Sequence, residues 1–309
     1  MKVCSLLLCL YLLPYIGRSQ GDSLDLQIRL ILLDLIAIDN TRETITAEFL
    51  LDAQWPIKGM RDTVLAYSAD LVPRIQIRNL ISQEPAETEE IRVDQQGIAR
   101  YNQRLIGTIQ QRFDFTDFPY DDQLLTIELF TRKRPAYRIL SDTTTDRGIM
   151  PGFQDLTAWD IEFAGATRTS IRGTGLSIPS VSYQYVLTRH GTYYFWKVLL
   201  PVALIVFMSW GAFWISPEEI SSQLTVSVTA ILTLIALQFS VSQLVPPLSY
   251  LTYLDKFSAG ANFFVFLAFL ESIVTSYQAE AGRRELSRKI DRVSRICFPL
   301  AFILFLLII

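Results

Sequence analysis

Polar side chains recur at helical spacing through an otherwise apolar stretch between residues 218 and 243. With about 100° per residue and Thr225 as the origin, Glu218 falls at about 20° and Gln243 at about 0°. The other residues on this narrow face are Ser221, Ser222, Thr229, Leu232, Ala236, Phe239 and Ser240. Hydroxyl, amide and carboxylate groups in such a row solvate ions and water, so the stripe indicates a helix that lines water.

The stripe has two interpretations. Hydroxyl groups in membrane helices often bond to neighbouring helices or to their own backbone, which would make the stripe structural. Alternatively the stripe faces a pore, and several subunits each contribute one helix around an axis, because one helix cannot enclose a channel. In that arrangement Leu232 and Phe239 form apolar constrictions, and Glu218 at the cytoplasmic end favours cations.

The chain has 309 residues, half of them hydrophobic, and a formal net charge of −3. Residues 1–19 have a short apolar core and small residues near their end, which predicts a secretory signal peptide, with an amino-terminal membrane anchor as the alternative. Residues 20–191 consist of short β-branched and aromatic runs between turn residues, which predicts an extracellular immunoglobulin-like β-sandwich of about ten strands. Residues 192–309 predict an all-α transmembrane domain of four helices.

Each of the four apolar segments is close to the ~20 residues that a helix needs to cross a bilayer. They span about residues 194–215, 220–244, 254–277 and 290–309. The loop before the fourth segment is rich in Lys and Arg between Arg283 and Arg295. The positive-inside rule therefore places this loop in the cytoplasm, with the amino-terminal domain and the carboxyl terminus on the opposite side of the bilayer.

Several functional classes are disfavoured by what the sequence lacks. The predicted mature ectodomain has no metal-ligand cluster, no phosphate-binding loop and no Cys/His pair, so we expect no metal site, no cofactor and no enzymatic activity. Without a basic tract, nucleic acid is not an expected partner. A surface receptor that does not conduct ions remains a competing class, whereas a transporter fits poorly because the four helices show no internal repeat.

A loop in the amino-terminal region, "FDFTDFPYDDQLL" (residues 113–125), resembles the signature loop of pentameric ligand-gated ion channels, the Cys-loop receptor superfamily. The two cysteines of that loop would fall at Gln111 and Leu125, and their absence is typical of the prokaryotic branch. "AEFLLDAQWPIK" and "VPPLSYLTYLD" also resemble family segments, and the bacterial amine-gated channels are the type most similar to this chain.

The resemblance implies a homopentamer in the bacterial inner membrane, which passes monovalent cations through a pore lined by the second helix. In the family, loops of the sandwich meet the membrane domain, and Asp39, Asp121 and Arg189 match the positions of an ionic cluster between the two domains. The full set of residues that the resemblance assigns to domain coupling is Asp39, Phe118, Pro119, Asp121, Arg189, Pro246 and Pro247.

By the same resemblance, a small-molecule agonist binds between ectodomains, where aromatic side chains usually surround a cation. Arg132 stands where an aromatic is expected, and Arg134 follows it. The other residues assigned to this pocket are Phe130, Leu50, Gln76, Asn102 and Tyr183. Two interpretations stay open: a carboxylate held by the arginines in place of an amine, or a degenerate site with gating by another stimulus such as protons.

His190, the only histidine, can titrate near neutral pH, although a lone histidine is more often structural.

Overall fold

The structure is a computed structural model. It describes residues 24–66, 68, 71–84, 90–131, 137–140, 149, 158–172 and 177–309. The predicted signal peptide, residues 1–19, lies outside the described residues, as do Arg132 and Arg134 of the predicted ligand pocket.

Strands make up the amino-terminal region, and eleven of them lie in its described part. They are β1 Leu24–Asp39, β2 Thr44–Pro56, β3 Thr63–Ala66, β4 Ile75–Ile77, β5 Leu80–Gln83, β6 Glu90–Val93, β7 Ile98–Gln110, β8 Asp122–Thr131, β9 Tyr137–Leu140, β10 Trp159–Arg172 and β11 Ser177–Arg189. One sheet has the order β3-β6-β7-β2-β1-β9, with β5 also paired to β7, and the other has the order β10-β11-β8-β4. The two sheets share one apolar core, which confirms the predicted sandwich.

Alternation of apolar residues along the strands builds this core, because successive side chains of a strand point to opposite faces. Leu26, Ile28 and Leu30 of β1 are buried, as are Tyr183 and Tyr185 of β11. The Tyr183 hydroxyl donates a hydrogen bond to the backbone oxygen of Ile28 at 2.8 Å and so joins the two sheets. The structure therefore places Tyr183 in the core and not in the predicted ligand pocket, because it lies on the inward face of β11.

Four helical segments follow the sandwich: Thr192–Trp214, Ile220–Val241, Tyr253–Glu280 and Arg284–Ile308, called the first to fourth helices below. Within the described residues, the first three are long and apolar enough to cross a membrane. The fourth opens with charged turns and is not among those three. It begins earlier than the predicted residue 290, because the Arg- and Lys-rich segment before its apolar part is itself helical.

Aromatic contacts hold the third and fourth helices together. The Phe264 ring centroid lies 5.2 Å from that of Phe302 and 5.5 Å from that of Phe298. Gly260 allows the two helices to approach each other, because a Cβ atom there would overlap the ring of Phe305. The bundle thereby provides a packed surface against which the second helix rests with one face.

Candidate functional site

The second helix has one buried face and one exposed face in the isolated chain. Gln223, Ser227, Ala230 and Leu234 are its buried residues. By helical geometry they lie about 140–200° from Thr225, opposite the polar stripe. All ten residues of the predicted stripe are exposed: Glu218, Ser221, Ser222, Thr225, Thr229, Leu232, Ala236, Phe239, Ser240 and Gln243. The bundle of a single chain therefore leaves the whole stripe uncovered.

Buried polar contacts orient this helix. The Gln223 side-chain amide donates to the backbone oxygen of Ile215 at 2.9 Å, and its carbonyl oxygen accepts from Ser276 of the third helix at 3.2 Å. The face opposite the stripe is therefore not purely apolar, since Gln223 and Ser227 are buried there beside Ala230 and Leu234. On the exposed face, the Thr225 hydroxyl bonds to the backbone oxygen of Ser221 at 2.6 Å, which satisfies the group locally.

Glu218 does not continue the helical stripe, because the helix begins only at Ile220 and helical angles do not extend to residues before it. Its Oε1 atom lies 3.5 Å from Arg284 Nε and 3.8 Å from Arg288 Nη2, both on the fourth helix. The Glu218 side chain is 45% exposed, so it remains accessible next to the amino-terminal end of the exposed face. Its charge is thus partly balanced by arginines of the same chain.

A buried arginine lies where the sandwich meets the helices. Arg189 Nε donates to Asp121 Oδ1 at 2.7 Å and its Nη2 donates to Asp121 Oδ2 at 3.1 Å. The two side chains are only 3% and 2% exposed. The Arg189 guanidinium also lies over the ring of Trp159, 4.0 Å from its centroid, and 4.9 Å from that of Phe118. Burial removes water from both ions, which costs free energy. The two parallel hydrogen bonds of this bidentate pair offset that cost only when their geometry is good.

The third partner of this cluster is Asn40 rather than the predicted Asp39. Arg189 Nη2 donates to Asn40 Oδ1 at 3.2 Å, and Asn40 Nδ2 donates to the backbone oxygen of Leu244, just after the second helix, at 3.4 Å. Asp39 instead accepts a hydrogen bond from the backbone N–H of Arg42 at 2.9 Å. The structure therefore corrects the expectation for Asp39. Asp39 accepts a hydrogen bond within the turn after β1, and Asn40 is the residue that contacts Arg189.

The loop that precedes β8 binds the start of the third helix. The backbone N–H groups of Tyr253 and Leu254 donate to the backbone oxygens of Thr116 and Phe118 at 2.8 and 3.2 Å. The peptide bond between Phe118 and Pro119 is cis. The linker that leads to these contacts contains Pro246, which is half-buried, and Pro247, which is exposed. Loop, linker and Arg189 thus form one continuous junction.

Two ionisable groups of this loop are perturbed by their surroundings. Burial, and secondarily Tyr253, raises the pKa of the Tyr120 hydroxyl above its usual value. Hydrogen bonds from the Thr116 hydroxyl and backbone N–H hold the pKa of Asp114 below its usual value. Both shifts keep these groups in one protonation state near neutral pH, so they act as fixed parts of the loop.

The predicted ligand residues do not meet in one pocket of a single chain. Gln76 and Phe130 line a cavity of about 500 Å³ between the sheets. Leu50 and Asn102 lie on neighbouring strands of the first sheet, on its outward face. A second pocket, of about 290 Å³, lies beside β1, β2 and β9 and is lined by Gln27, Ile28, Arg29, Asp52, Gln54, Leu140 and Arg168. Its charged residues were missed because they are spread over three strands.

No three His, Cys, Asp or Glu side chains come together as metal ligands in the part of the chain that the structure describes. Comparison with known proteins identifies a transmembrane family instead. Residues 198–286 match the family model "Neurotransmitter-gated ion-channel transmembrane region".

Curated relatives match more of the chain. A "Proton-gated ion channel" of Gloeobacter violaceus is 26% identical over 88% of this chain and 79% of its own length. A "Gamma-aminobutyric acid receptor subunit beta" of Caenorhabditis elegans is 30% identical over 60% of this chain and 34% of its own length. A "Gamma-aminobutyric acid receptor subunit beta-like" of Drosophila melanogaster is 26% identical over 77% of this chain. The chain spans half or less of these animal relatives, at 34% and 49% of their lengths.

The junction predicts that Asp121→Asn destabilises the chain far more than Asp39→Asn does. Asp121→Asn leaves the buried Arg189 guanidinium without a counter-charge, and we expect it to lower the free energy of unfolding by about 3–5 kcal/mol. Asp39→Asn, the matched control, removes the same charge from an exposed turn and is expected to change stability by less than about 1 kcal/mol. Thermal unfolding of the solubilised full-length chain measures both. Equal effects of the two variants would show that Arg189 does not depend on Asp121.

Proposed function

Because the chain belongs to the pentameric ligand-gated ion channels, the Cys-loop receptor superfamily, we propose that it is a subunit of a homopentameric, cation-selective channel with a pore lined by the second helix. Four helices cross the bacterial inner membrane, with the ectodomain and the carboxyl terminus on the extracytoplasmic side. The relatives are ion channels and receptor subunits, and the chain is accordingly not an enzyme.

The observation that carries this proposal is the two-faced second helix. Its four buried residues contact the rest of the bundle, whereas the opposite face exposes Ser, Thr and Gln side chains along its length. Exposure of such a face to hydrocarbon is unfavourable, because polar groups in a bilayer need polar partners. Five copies that turn this face towards a common axis enclose water instead. Leu232 and Phe239, 62% and 72% exposed in one chain, then form apolar rings that close the pore by dewetting.

Acidic residues at the cytoplasmic mouth support the proposed cation selectivity. Glu218 and Glu219 are both exposed immediately before the second helix, and no Lys or Arg occurs between Ile220 and Gln243. Rings of carboxylates attract cations. The nearby Arg284 and Arg288 reduce the effective charge of Glu218, so we expect moderate rather than strong selectivity.

The junction at Arg189 provides the route by which the ectodomain acts on the pore. Asn40 connects the Arg189 cluster to the backbone of Leu244 at the outer end of the second helix. The loop before β8 is hydrogen-bonded to the start of the third helix, beyond the Pro246–Pro247 linker. A displacement of the sandwich therefore moves both ends of the linker that follows the pore helix. Interfaces of this kind have discrete packed arrangements, which suits a two-state gate.

The agonist in this proposal is a small carboxylate. The pocket beside β1 carries Arg29 and Arg168 with Asp52. By the family resemblance, Arg132 also stands at a ligand position, and Arg134 follows it in the sequence. Guanidinium groups hold carboxylates through two parallel hydrogen bonds. The relatives are named for protons and for gamma-aminobutyric acid, which has a carboxylate and an ammonium. Gating by protons is the second candidate. Activation by primary amines, and by no carboxylate, would refute the assignment of a carboxylate agonist.

The gate is tested by Leu232→Ser. A hydroxyl in place of the Leu232 side chain wets the proposed apolar ring, so we expect a higher spontaneous open probability in bilayer recordings of the reconstituted protein. Ile235→Ser makes a similar change on the same helix at about −80° from the stripe centre and is expected to have a smaller effect. If Leu232→Ser incorporates normally but its open probability does not increase, the gate hypothesis is contradicted. If the wild-type protein passes no current under any condition, the alternative of a surface receptor that does not conduct ions is favoured.

The selectivity is tested by Glu218→Gln. Loss of this carboxylate leaves Arg284 and Arg288 unbalanced at the mouth, so we expect a lower single-channel cation conductance. The double variant Glu218→Gln with Arg284→Gln is expected to regain part of it. Glu285→Gln, an exposed change in the first turn of the fourth helix, serves as the control. A wild-type reversal potential that follows the chloride gradient in asymmetric salt would refute cation selectivity.

The agonist class is tested by Arg29→Ala. Loss of one charge-assisted hydrogen bond is worth about 1.5–3 kcal/mol, so the half-activating concentration of a small carboxylate should rise about tenfold or more. Arg138→Ala is the control, since Arg138 is an exposed arginine paired with Asp25 and does not line the pocket. Activation of the wild type by primary amines and by no carboxylate would overturn this assignment.

A further inference from the structure

A histidine–aspartate hydrogen bond lies one residue away from the Arg189 cluster, on the solvent side of the same two strands. His190 Nε2 lies 2.7 Å from Asp160 Oδ2, and the side chains are 43% and 76% exposed. His190 is the only histidine of the chain. Histidine has an unperturbed pKa of about 6.5, so its charge changes between acidic and mildly alkaline pH. The proposed channel mechanism does not use this pair.

We propose that His190 and Asp160 form a proton-binding site at the junction of the two domains, and that the bound proton stabilises the arrangement of the Arg189 cluster seen here. The second part of this proposal rests on the proposed function, whereas the first part does not. The bound ligand is a single proton on the imidazole, which turns the hydrogen bond to the Asp160 carboxylate into an ion pair.

Strand geometry connects the site to the cluster. Trp159 and Arg189 are paired in the register of β10 and β11, and both are buried, with the guanidinium over the indole ring. Asp160 and His190 follow them directly and point to the opposite, exposed side, because side chains alternate. The His190 backbone N–H also donates to the Ala158 oxygen at 2.9 Å. An ion pair between the two outward side chains therefore holds Trp159 and Arg189 together on the inward side.

The backbone just after His190 is packed tightly against residues that contact the third helix. Gly191 lies directly beneath the ring of Tyr120, where a Cβ atom would come within 2.3 Å of that ring. The Tyr120 ring in turn contacts that of Tyr253, the first residue of the third helix, with centroids 5.9 Å apart. Because this packing leaves no room, a shift of the backbone at His190 must be accommodated by Tyr120 and the third helix.

Among the described residues, charged or titratable groups lie near His190 on the neighbouring strands, the loop before β8 and the first helix. Asp160 comes from β10, and Arg189 from β11, but the guanidinium of Arg189 is turned inward to Asp121. The loop before β8 contributes Tyr120, whose pKa is raised by burial and which is therefore neutral near pH 7. The first helix contributes Tyr193 and Tyr194, which are phenols. Asp122 of β8 is paired with Thr188 in the sheet register and lies on the same exposed side, and Asp160 is the described anion within hydrogen-bond distance of the imidazole.

Because the chain has one histidine, its titration can be followed directly. Full-length protein labelled with ¹³C-histidine gives one imidazole resonance, which is recorded between about pH 5 and pH 8. We expect Asp160→Asn to move the titration midpoint to lower pH by roughly 0.2–0.7 unit, the range for an exposed ion pair. Asp25→Asn, which removes an acid from another exposed pair, is the matched control and should leave the midpoint unchanged. Identical titrations of wild type and Asp160→Asn would overturn the site.

The effect on the cluster is measured separately by thermal unfolding and by current. In this proposal the Asp160 carboxylate, 2.7 Å from the imidazole, favours its charged form, so the stabilisation is present at acidic pH and lost as pH rises through the titration of His190. His190→Gln, which keeps a side-chain donor but cannot titrate, should abolish this component of the melting temperature and the matching pH dependence of the current. If Asp160 shifts the titration but His190→Gln changes neither quantity, the regulatory part is overturned. Absence of any current with intact titration and melting shifts would refute the channel and not the proton site.

Discussion

The buried pair of Arg189 and Asp121 is the interaction on which the arrangement of the two domains depends. Both ions have lost nearly all contact with water, and such a pair is tolerable only when each charge is matched and the remaining hydrogen-bonding groups are satisfied. The structure meets this condition with a bidentate contact, an amide from the turn after β1 and aromatic faces. Asp121, Asn40 and Trp159 come from three different segments of the sandwich. Tyr194 of the first helix accepts a further hydrogen bond from Arg189, so the requirements of one guanidinium bring together the sandwich, its loops and the helices.

This constraint explains why the junction is continuous. Asn40 satisfies Arg189 with its oxygen and reaches the end of the second helix with its nitrogen. The loop that carries Asp121 uses its backbone oxygens to bind the start of the third helix. Movement of any one segment leaves a charge or a hydrogen-bonding group unpaired. Such an interface is expected to hold one arrangement or switch to another rather than deform gradually.

In the second helix, one face holds the helix in the bundle and the opposite face is exposed. Its packing relies on a buried amide as well as on apolar contacts, since Gln223 bonds to the backbone of Ile215, just after the first helix, and to Ser276 of the third helix. A directed polar bond fixes rotation about the helix axis more strictly than aliphatic contacts do. The orientation of the exposed stripe therefore follows from bonds on the face opposite to it. The fixed rotation determines which side chains are left exposed for the proposed pore.

The sequence by itself determined the class of each half of the chain. Period-two alternation in residues such as Leu26, Ile28 and Leu30 specifies strands with one buried face, and apolar runs near 20 residues specify membrane helices. The polar stripe was also readable, because helical spacing is a local property of Ser222, Thr225 and Thr229. The family could be recognised from the loop around Phe118–Asp121 for the same reason, since a loop signature is contiguous.

Only the tertiary structure decided which residues act as partners. Asn40 rather than Asp39 reaches Arg189, because the turn after β1 directs one side chain inward and uses the other as a cap. Tyr183 belongs to the core, and Glu218 lies before the start of the second helix. Residue spacing along the sequence does not reveal either fact. The pairing of His190 with Asp160 joins residues 30 positions apart. Local patterns follow from the chemistry of neighbouring residues, whereas ion pairs and pockets depend on which distant segments the fold brings within a few ångströms.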